Sequence, residues 1–308
     1  MASGIQVGLT YGGKKPSELG ALEELNLFAQ RVEVAGLSTL WMPTEFSWDT
    51  MMALAAASKA THRIELASAA LPIFSRHPVV MAQEALSLSL LCDGRLTLGV
   101  GLSHKMIVEE IMGLSYDRPA DHMREYLAVL APLLSRAPNR HSGEFYRVSV
   151  DLSVPGESRV PLIVSVSGEE IVAHACAYAD GVLTWLTGIR SFRSHIMPSL
   201  IRASDESGRE KPRVIVGLPI LITDHGAEAR DAIDASYGLQ GLMPSHRAML
   251  DREGVRRISD IALVGSEDEI EDRLMAFAEA GMTDFNGAIA DLDDESATRT
   301  FDFLATRV

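Results

Sequence analysis

A closed barrel of eight β/α units is the fold this sequence predicts, and three observations predict it. First, a helical stretch ends four times in Ala-Gly or Asp-Gly with a β-rich run following at once, at VAGLSTLW (34–41), CDGRLTLGVG (92–101), ADGVLTWLTG (179–188) and EAGMTDFNGAIA (279–290). Glycine just past a helix end relieves the strain of the left-handed conformation and turns the chain into a strand. Second, the runs are continuously apolar, as strands covered on both faces are. Third, eight of them can be counted, at 5–10, 38–43, 63–70, 95–101, 161–166, 181–186, 213–222 and 283–290. Eight such units in about 300 residues match an α/β fold of the TIM (β/α)8 type, read as one domain over 1–308. A doubly wound sheet would use the same joints; the strand count favours the barrel.

Taken in order, the first strand ends at Thr10, Tyr11, Gly12 and Gly13, and a helix follows with Pro16 and Ser17 opening it and Gly36 closing it. The second strand ends in Met42-Pro43-Thr44-Glu45-Phe46, and the third in SAALPIFSRHP (68–78), where His77 before Pro78 fixes the loop into the next helix. The fourth ends in GLSHK (101–105), the fifth in VSVSGEE (164–170) and the sixth in TWLTG (184–188). Ser266 and Glu269 fit a capping box. Two segments fall outside the repeat. Residues 136–160 are polar and turn-rich around a short β-like run. Residues 237–262 are inserted after the helix that follows the seventh strand. Insertions after barrel strands lie at the catalytic face, so the second segment is expected to be either a substrate lid or a contact between copies.

Bulk properties narrow the function. At 47% hydrophobic and 23% charged the chain has ample core, and no apolar stretch reaches the roughly 18 residues a membrane span needs. The N-terminus lacks the basic and apolar regions of a secretory signal. Cys92 and Cys176 lie far apart in helical, apolar contexts, which fits a reduced, cytoplasmic protein. A net charge of −14 argues against nucleic-acid or anionic-membrane partners. An anionic ligand would have to be held by local donors.

Chemistry in a barrel sits at the strand ends. Gly99-Val100-Gly101 begins like a dinucleotide fingerprint, but the third glycine position is His104, and no acidic ribose partner ends a following strand, since Tyr116, Asp117 and Pro119 mark a polar turn there. The stretch reads instead as a strand lip. His104 either transfers protons there or only opens a helix. Glu45 is either a second proton-transfer group or a solvated charge. Trp185 either packs against a flat ligand or caps the barrel. The histidines at 62, 122, 141, 174, 195, 225 and 246 show no metal-ligand spacing, and HExxH, CxxC and Gly-x-Ser-x-Gly motifs do not occur.

The segment LPIFSRHPVVMAQEALSLSLLCDGRLTLGVGLSHKMIVEEIMGLSYDRPADHMREYLAVLAPLL (71–134) resembles the luciferase-like monooxygenase superfamily, and most of all its actinobacterial F420-dependent oxidoreductases. The resemblance continues through VPLIVSVSGEEIVAHACAYADGVLTWLTG and LVGSEDEIEDRLMAFAEAGMTDF, and so covers most of the chain. It implies an oxidoreductase whose flavin or deazaflavin lies across the strand ends and which acts on a small organic substrate. The cofactor implied is coenzyme F420 with hydride transfer. The alternatives are reduced FMN with oxygen, as in the monooxygenases, or a barrel that has lost catalysis. A homodimer built through barrel-side helices is also implied.

Position by position, the resemblance implies a non-prolyl cis peptide, counted here to Ser68-Ala69, where small side chains at Ser68, Ala69 and Ala70 would let backbone approach the ring. Gly101, Leu102, Ser103 and His104 would line the ribityl chain and ring edge, with Glu45 near the reactive ring and Trp185 at the sixth lip. Ser167, Gly168, Glu169 and Glu170 match the segment whose N–H groups hold the coenzyme phosphate. Where relatives carry a second glycine or Gly-Pro, this chain has two carboxylates. Either these point to solvent and the backbone alone binds, or they weaken phosphate binding.

Overall fold

The computed structural model describes residues 4–12 and 20–307; Gly13, Pro16 and Ser17 lie outside the described residues. Eight parallel strands close on themselves: β1 (Gln6–Thr10), β2 (Thr39–Met42), β3 (Glu65–Ser68), β4 (Leu96–Gly101), β5 (Leu162–Ser165), β6 (Gly181–Trp185), β7 (Arg213–Ile222) and β8 (Asp284–Ile289). Each pairs with the next, and β8 returns to β1 with Phe285 opposite Val7. The expected TIM barrel and all eight expected strands are therefore present. Around it run α1 (Ala21–Val34), α2 (Thr50–Ala60), α3 (Pro78–Leu91), α4 (Pro119–Leu134) and α5 (Glu169–Tyr178). The lip of β6 leads into α6 (Ile189–Ser191), a π-helical turn (Phe192–Ile196) and α7 (Met197–Ser207). After β7 come α8 (Gly226–Gly241), α9 (Pro244–Glu253), a short strand (Leu263–Gly265) that pairs with the end of β7, and α10 (Glu267–Glu279); α11 (Asp294–Ala305) follows β8. None of these helices is long and apolar enough to cross a membrane.

Three of the four glycine joints behave as expected, with Gly36, Gly94 and Gly281 in the left-handed region after their helices. Gly181 is different. It is the first residue of β6, and it is small for want of space: a Cβ there would lie 2.6 Å from Ile163 Cδ1 and 2.8 Å from the Arg213 carbonyl oxygen. The turn at that joint is made by Ala179 in extended conformation, with the Asp180 carboxylate accepting the Leu162 N–H at 2.9 Å. The capping box at Ser266 and Glu269 forms, and His77 caps α3 by accepting the Val79 N–H at 3.3 Å.

Side chains alternate along each strand, so the barrel interior is stacked in layers two residues apart. The floor is ionic. Arg213 donates to both Glu65 oxygens at 2.8 and 3.1 Å and also bonds Asp284, while Thr39 and Thr97 donate to Glu65. Burial would raise the Glu65 carboxyl, but Arg213 and the two hydroxyls outweigh it and hold it below the usual carboxylate range. One step up, Trp41, Ala67, Ile163, Leu183 and Ile215 form a dry layer, each 2% exposed or less. The next step, at the mouth, holds Ala69, Gly101, Ser165, Gly217 and Trp185.

The polar segment 136–160 contains an antiparallel hairpin, Asn139–Ser142 with Arg147–Val150, latched to α4 by Glu125. That carboxylate accepts the N–H groups of Glu144 (3.0 Å), Phe145 (3.0 Å) and Tyr146 (3.3 Å) and lies 3.3 Å from His141 Nε2. Burial alone would raise its pKa; these bonds prevail and bring it from 4.5 to about 2. A carboxyl depressed by folding contributes fully above its ordinary pKa, and that contribution is lost as pH falls toward the folded value. Glu125→Gln should destabilise the protein by about 2 kcal/mol at pH 7. In urea titrations its deficit should shrink as pH falls from 4.5 towards 2.

Candidate active site

The mouth is built from β3, β4 and β6 outward. At the end of β3 the Ser68 hydroxyl donates to the Gly99 carbonyl at 2.9 Å and accepts the Gly99 N–H at 2.8 Å. A Cβ on Gly99 would lie 2.0 Å from the Ser68 carbonyl oxygen, so only glycine allows this clasp. The cis peptide joins Ala69 to Ala70, one residue beyond the expected Ser68-Ala69 bond. The reason is that Ser68 is still strand, paired opposite Met42 and fully buried; the chain leaves the ladder only after it. Leu71 and Pro72 then rejoin β4 beside Val100 and Gly101. Ser68 is thus a clasp, and its side chain does not reach the mouth. Ala69 and Ala70 do, and both are half-buried.

The β4 lip runs Gly101-Leu102-Ser103-His104. Ser103 adopts φ +58°, rare for a non-glycine residue, and its carbonyl accepts the Tyr116 hydroxyl at 3.4 Å. His104 follows half-buried, and burial lowers its pKa below the ordinary 6.5. Its ring lies 5.1 Å from that of His246 on α9. At the β6 lip, Trp185 lies over Gly217, where a Cβ would come 2.7 Å from the indole. The indole N–H donates to Gln240 Oε1 at 2.9 Å, and Tyr237 packs edge-on at 5.8 Å. Burial, then the charge of Glu45, push the Tyr237 hydroxyl up to about 12. Glu45 itself is exposed on the β2 lip.

The segment after β7 therefore forms a roof over the strand ends, the position expected of a lid. Its first residues, Tyr237 and Gln240 among them, are not a separate insertion but the last turns of α8, which runs on to Gly241. Between the β4 and β6 lips stands the start of α5. Its first turn has no side-chain cap, leaving the N–H groups of Glu169, Glu170 and Ile171 without intrahelical partners. Both carboxylates are exposed, and Glu169 pairs with Arg202 at 3.3 Å. The geometry matches the first of the two expectations for this turn, with side chains out and backbone free. Ser167 is exposed and Gly168 half-buried beside it.

The structure brings His104, Glu45 and Trp185 around one mouth and adds residues that the sequence reading passed over: Tyr237, Gln240, His246 and Ser165. The missed signal is the spacing 246, 249, 250, 253, one face of a helix inside the insertion. Among the described residues no cluster of three His, Cys, Asp or Glu could hold a metal. An open groove of about 890 Å³ lies elsewhere, between α10 and α11, but its Arg299 and Arg307 are already paired with Glu267 and Glu271.

The family model for luciferase-like monooxygenases matches residues 3–284. The chain belongs to that family. A relative, the F420-dependent glucose-6-phosphate dehydrogenase of Kineococcus radiotolerans, is 26% identical over 67% of this chain and 65% of its own. Among solved structures, an F420-dependent secondary alcohol dehydrogenase in complex with an F420-acetone adduct superposes with TM-score 0.83 at 19% identity, covering 99% of this chain and 100% of that one. The FMN-bound oxygenating constituent of 3,6-diketocamphane monooxygenase from Pseudomonas putida gives 0.77 at 17%, over 99% and 97%. Both share the closed barrel fold.

Gln240→Leu should free the Trp185 indole. Its N–H resonance should move in a ¹H–¹⁵N spectrum while those of Trp41 and Trp48 stay, with a stability loss of about 1 kcal/mol.

Proposed function

We propose that this chain is an F420-dependent oxidoreductase that moves a hydride between the deazaflavin and a small organic substrate. The observation that carries the reading is the mouth layer. Ala69, Gly101, Ser165 and Gly217 leave room for a flat ring beside the one large side chain, Trp185, and a half-buried imidazole overhangs that space. A Cβ at Gly101 would stand 3.2 Å from Ser165 Cβ and narrow the mouth. The uncapped first turn of α5 offers N–H groups and the positive end of a helix dipole to a phosphate. Relatives and structural neighbours that use F420 support the choice of coenzyme.

A deazaflavin accepts a hydride when oxidised and supplies one when reduced. The protein's part is to hold the substrate and handle its proton. Burial keeps His104 neutral at pH 7, so its free nitrogen can take the proton of a substrate hydroxyl as that group becomes a carbonyl. Glu45 is the second candidate for that role. A second reading, reduced FMN with dioxygen, is favoured by the likeness to the FMN-bound monooxygenase and would use the same lips. We further propose a homodimer through α2 and α3, which stay apolar on their outer faces at Met52, Val80, Leu90 and Leu91.

Equilibrium titrations followed by fluorescence should give F420 at least about tenfold tighter binding than FMN; the reverse order establishes the second reading, and no binding of either rules out both. His104→Ala should lower turnover by about 10²–10⁴ while coenzyme affinity changes by no more than about twofold. If affinity falls and saturated turnover survives, His104 binds coenzyme and Glu45 takes the catalytic role. Light scattering should report twice the 33.4 kDa chain mass, and a monomer would refute the dimer.

A further inference from the structure

On the roof, the buried imidazole of His246 has no hydrogen-bond partner among the described residues. On α9, His246, Met249, Leu250 and Glu253 recur at helical spacing and form one face. Three of the four have evident structural work. Met249 and Leu250 are buried in the core cluster. The Glu253 carboxylate accepts the N–H groups of Arg190 (3.0 Å) and Ser191 (2.8 Å) at the start of α6, and Ser191 Oγ donates to the Met249 carbonyl at 3.0 Å. These bonds moor α9 to the β6 lip, so the neighbours of His246 fix where it sits.

His246 is only 8% exposed, and its ring faces that of His104 at 5.1 Å and 57°. Among the described residues no hydrogen bond reaches either ring, and the nitrogens of neither are sealed from water-sized space. With no protein partner, these nitrogens are free to bond whatever enters the mouth in place of water. Burial, and then the proximity of His104, bring the His246 pKa down to about 4. At neutral pH it therefore offers one N–H and one lone pair, without charge.

We propose that His246 is a substrate-contacting residue whose imidazole N–H donates to an uncharged substrate oxygen, carbonyl or hydroxyl, held between α9 and the His104 lip. The inference deepens the reading of this mouth as an F420-dependent site and rests on it. An uncharged donor in a buried site stabilises the partial negative charge that gathers on such an oxygen. It offers no counter-charge to a phosphate or carboxylate, so an anionic head group gains nothing at this position. His246 keeps its own proton throughout, and no bond to it is made or broken. The insertion after β7 thereby selects substrates for the barrel.

Cyclohexanone can serve as the probe, added to protein saturated with oxidised F420 so that no hydride moves, with the histidine ring ¹⁵N signals followed by NMR. The His246 signal should shift saturably in the wild-type protein. His246→Phe should weaken the probe about tenfold, and His246→Gln, which restores a neutral donor, should recover most of that affinity. The F420 dissociation constant should stay within about twofold in both variants. An unmoved His246 signal, unchanged probe affinity in His246→Phe, or a loss that tracks F420 affinity overturns the assignment. If His246→Phe does not fold, the wild-type ring signal decides alone. Wild-type protein that takes F420 but not cyclohexanone also overturns it, whereas protein that takes no F420 overturns the functional reading instead.

Discussion

Arg213 stands at the first residue of β7 and reaches across the barrel floor to Glu65 on β3 and Asp284 on β8. β8 neighbours β7, but β3 lies on the far side of the ring, separated from β8 by β1 and β2. A bidentate guanidinium accepts few geometries, so this contact ties three strands to one register, and that register sets every layer above it. Its worth is directional more than energetic. Partly buried ion pairs return much of their Coulomb energy as desolvation cost, whereas a one-residue slip of any of these strands would turn its inward side chains outward.

From that floor the interior changes character at each step of two residues. The ionic layer gives way to the dry layer around Trp41, and the dry layer to small residues at the mouth. The Ser68–Gly99 clasp holds the last step. It replaces ladder bonds where β3 leaves β4, so the chain can bulge at Ala69 and Ala70 without losing contact with its neighbour. Gly99 is therefore a packing glycine, and Gly101, two residues on, is the one that opens the mouth.

The barrel was legible in the sequence because its signals are periodic and local: apolar runs, helix ends, and glycine joints recurring at β/α intervals. The lips were legible too, since strand ends follow once strands are placed, and His104, Glu45 and Trp185 stand on the β4, β2 and β6 lips. What escaped was set by pairing between distant residues. Ser68 looked like lining, because nothing in LASAAL (66–71) reveals that its hydroxyl is taken by Gly99, 31 residues away. The cis bond fell one position late for the same reason. Gly181 resembled a helix-end glycine but answers to crowding from Ile163 and Arg213. His246 was passed over because metal spacing was the test applied to it, whereas its helical spacing with Met249, Leu250 and Glu253 was the informative pattern.

The two ends of the barrel handle polar groups in opposite ways, and that contrast locates function. At the floor every charge is answered: Arg213 by two carboxylates, Glu65 by Arg213 and two hydroxyls. On the flank, Glu125 is answered by three N–H groups and lies beside His141. At the mouth the balance reverses. The first turn of α5 lacks a cap, and the rings of His104 and His246 find no partner among the described residues. Ser103 holds a left-handed backbone and Leu186 does the same across the ring, at φ +54°. Left-handed residues also occur elsewhere, at Asp93, Arg118 and Arg136, so what sets the mouth apart is that open donors and left-handed lips meet around one space. Under the proposed function, a phosphate would meet the open N–H groups of α5 and a substrate oxygen the imidazoles of the lip and roof.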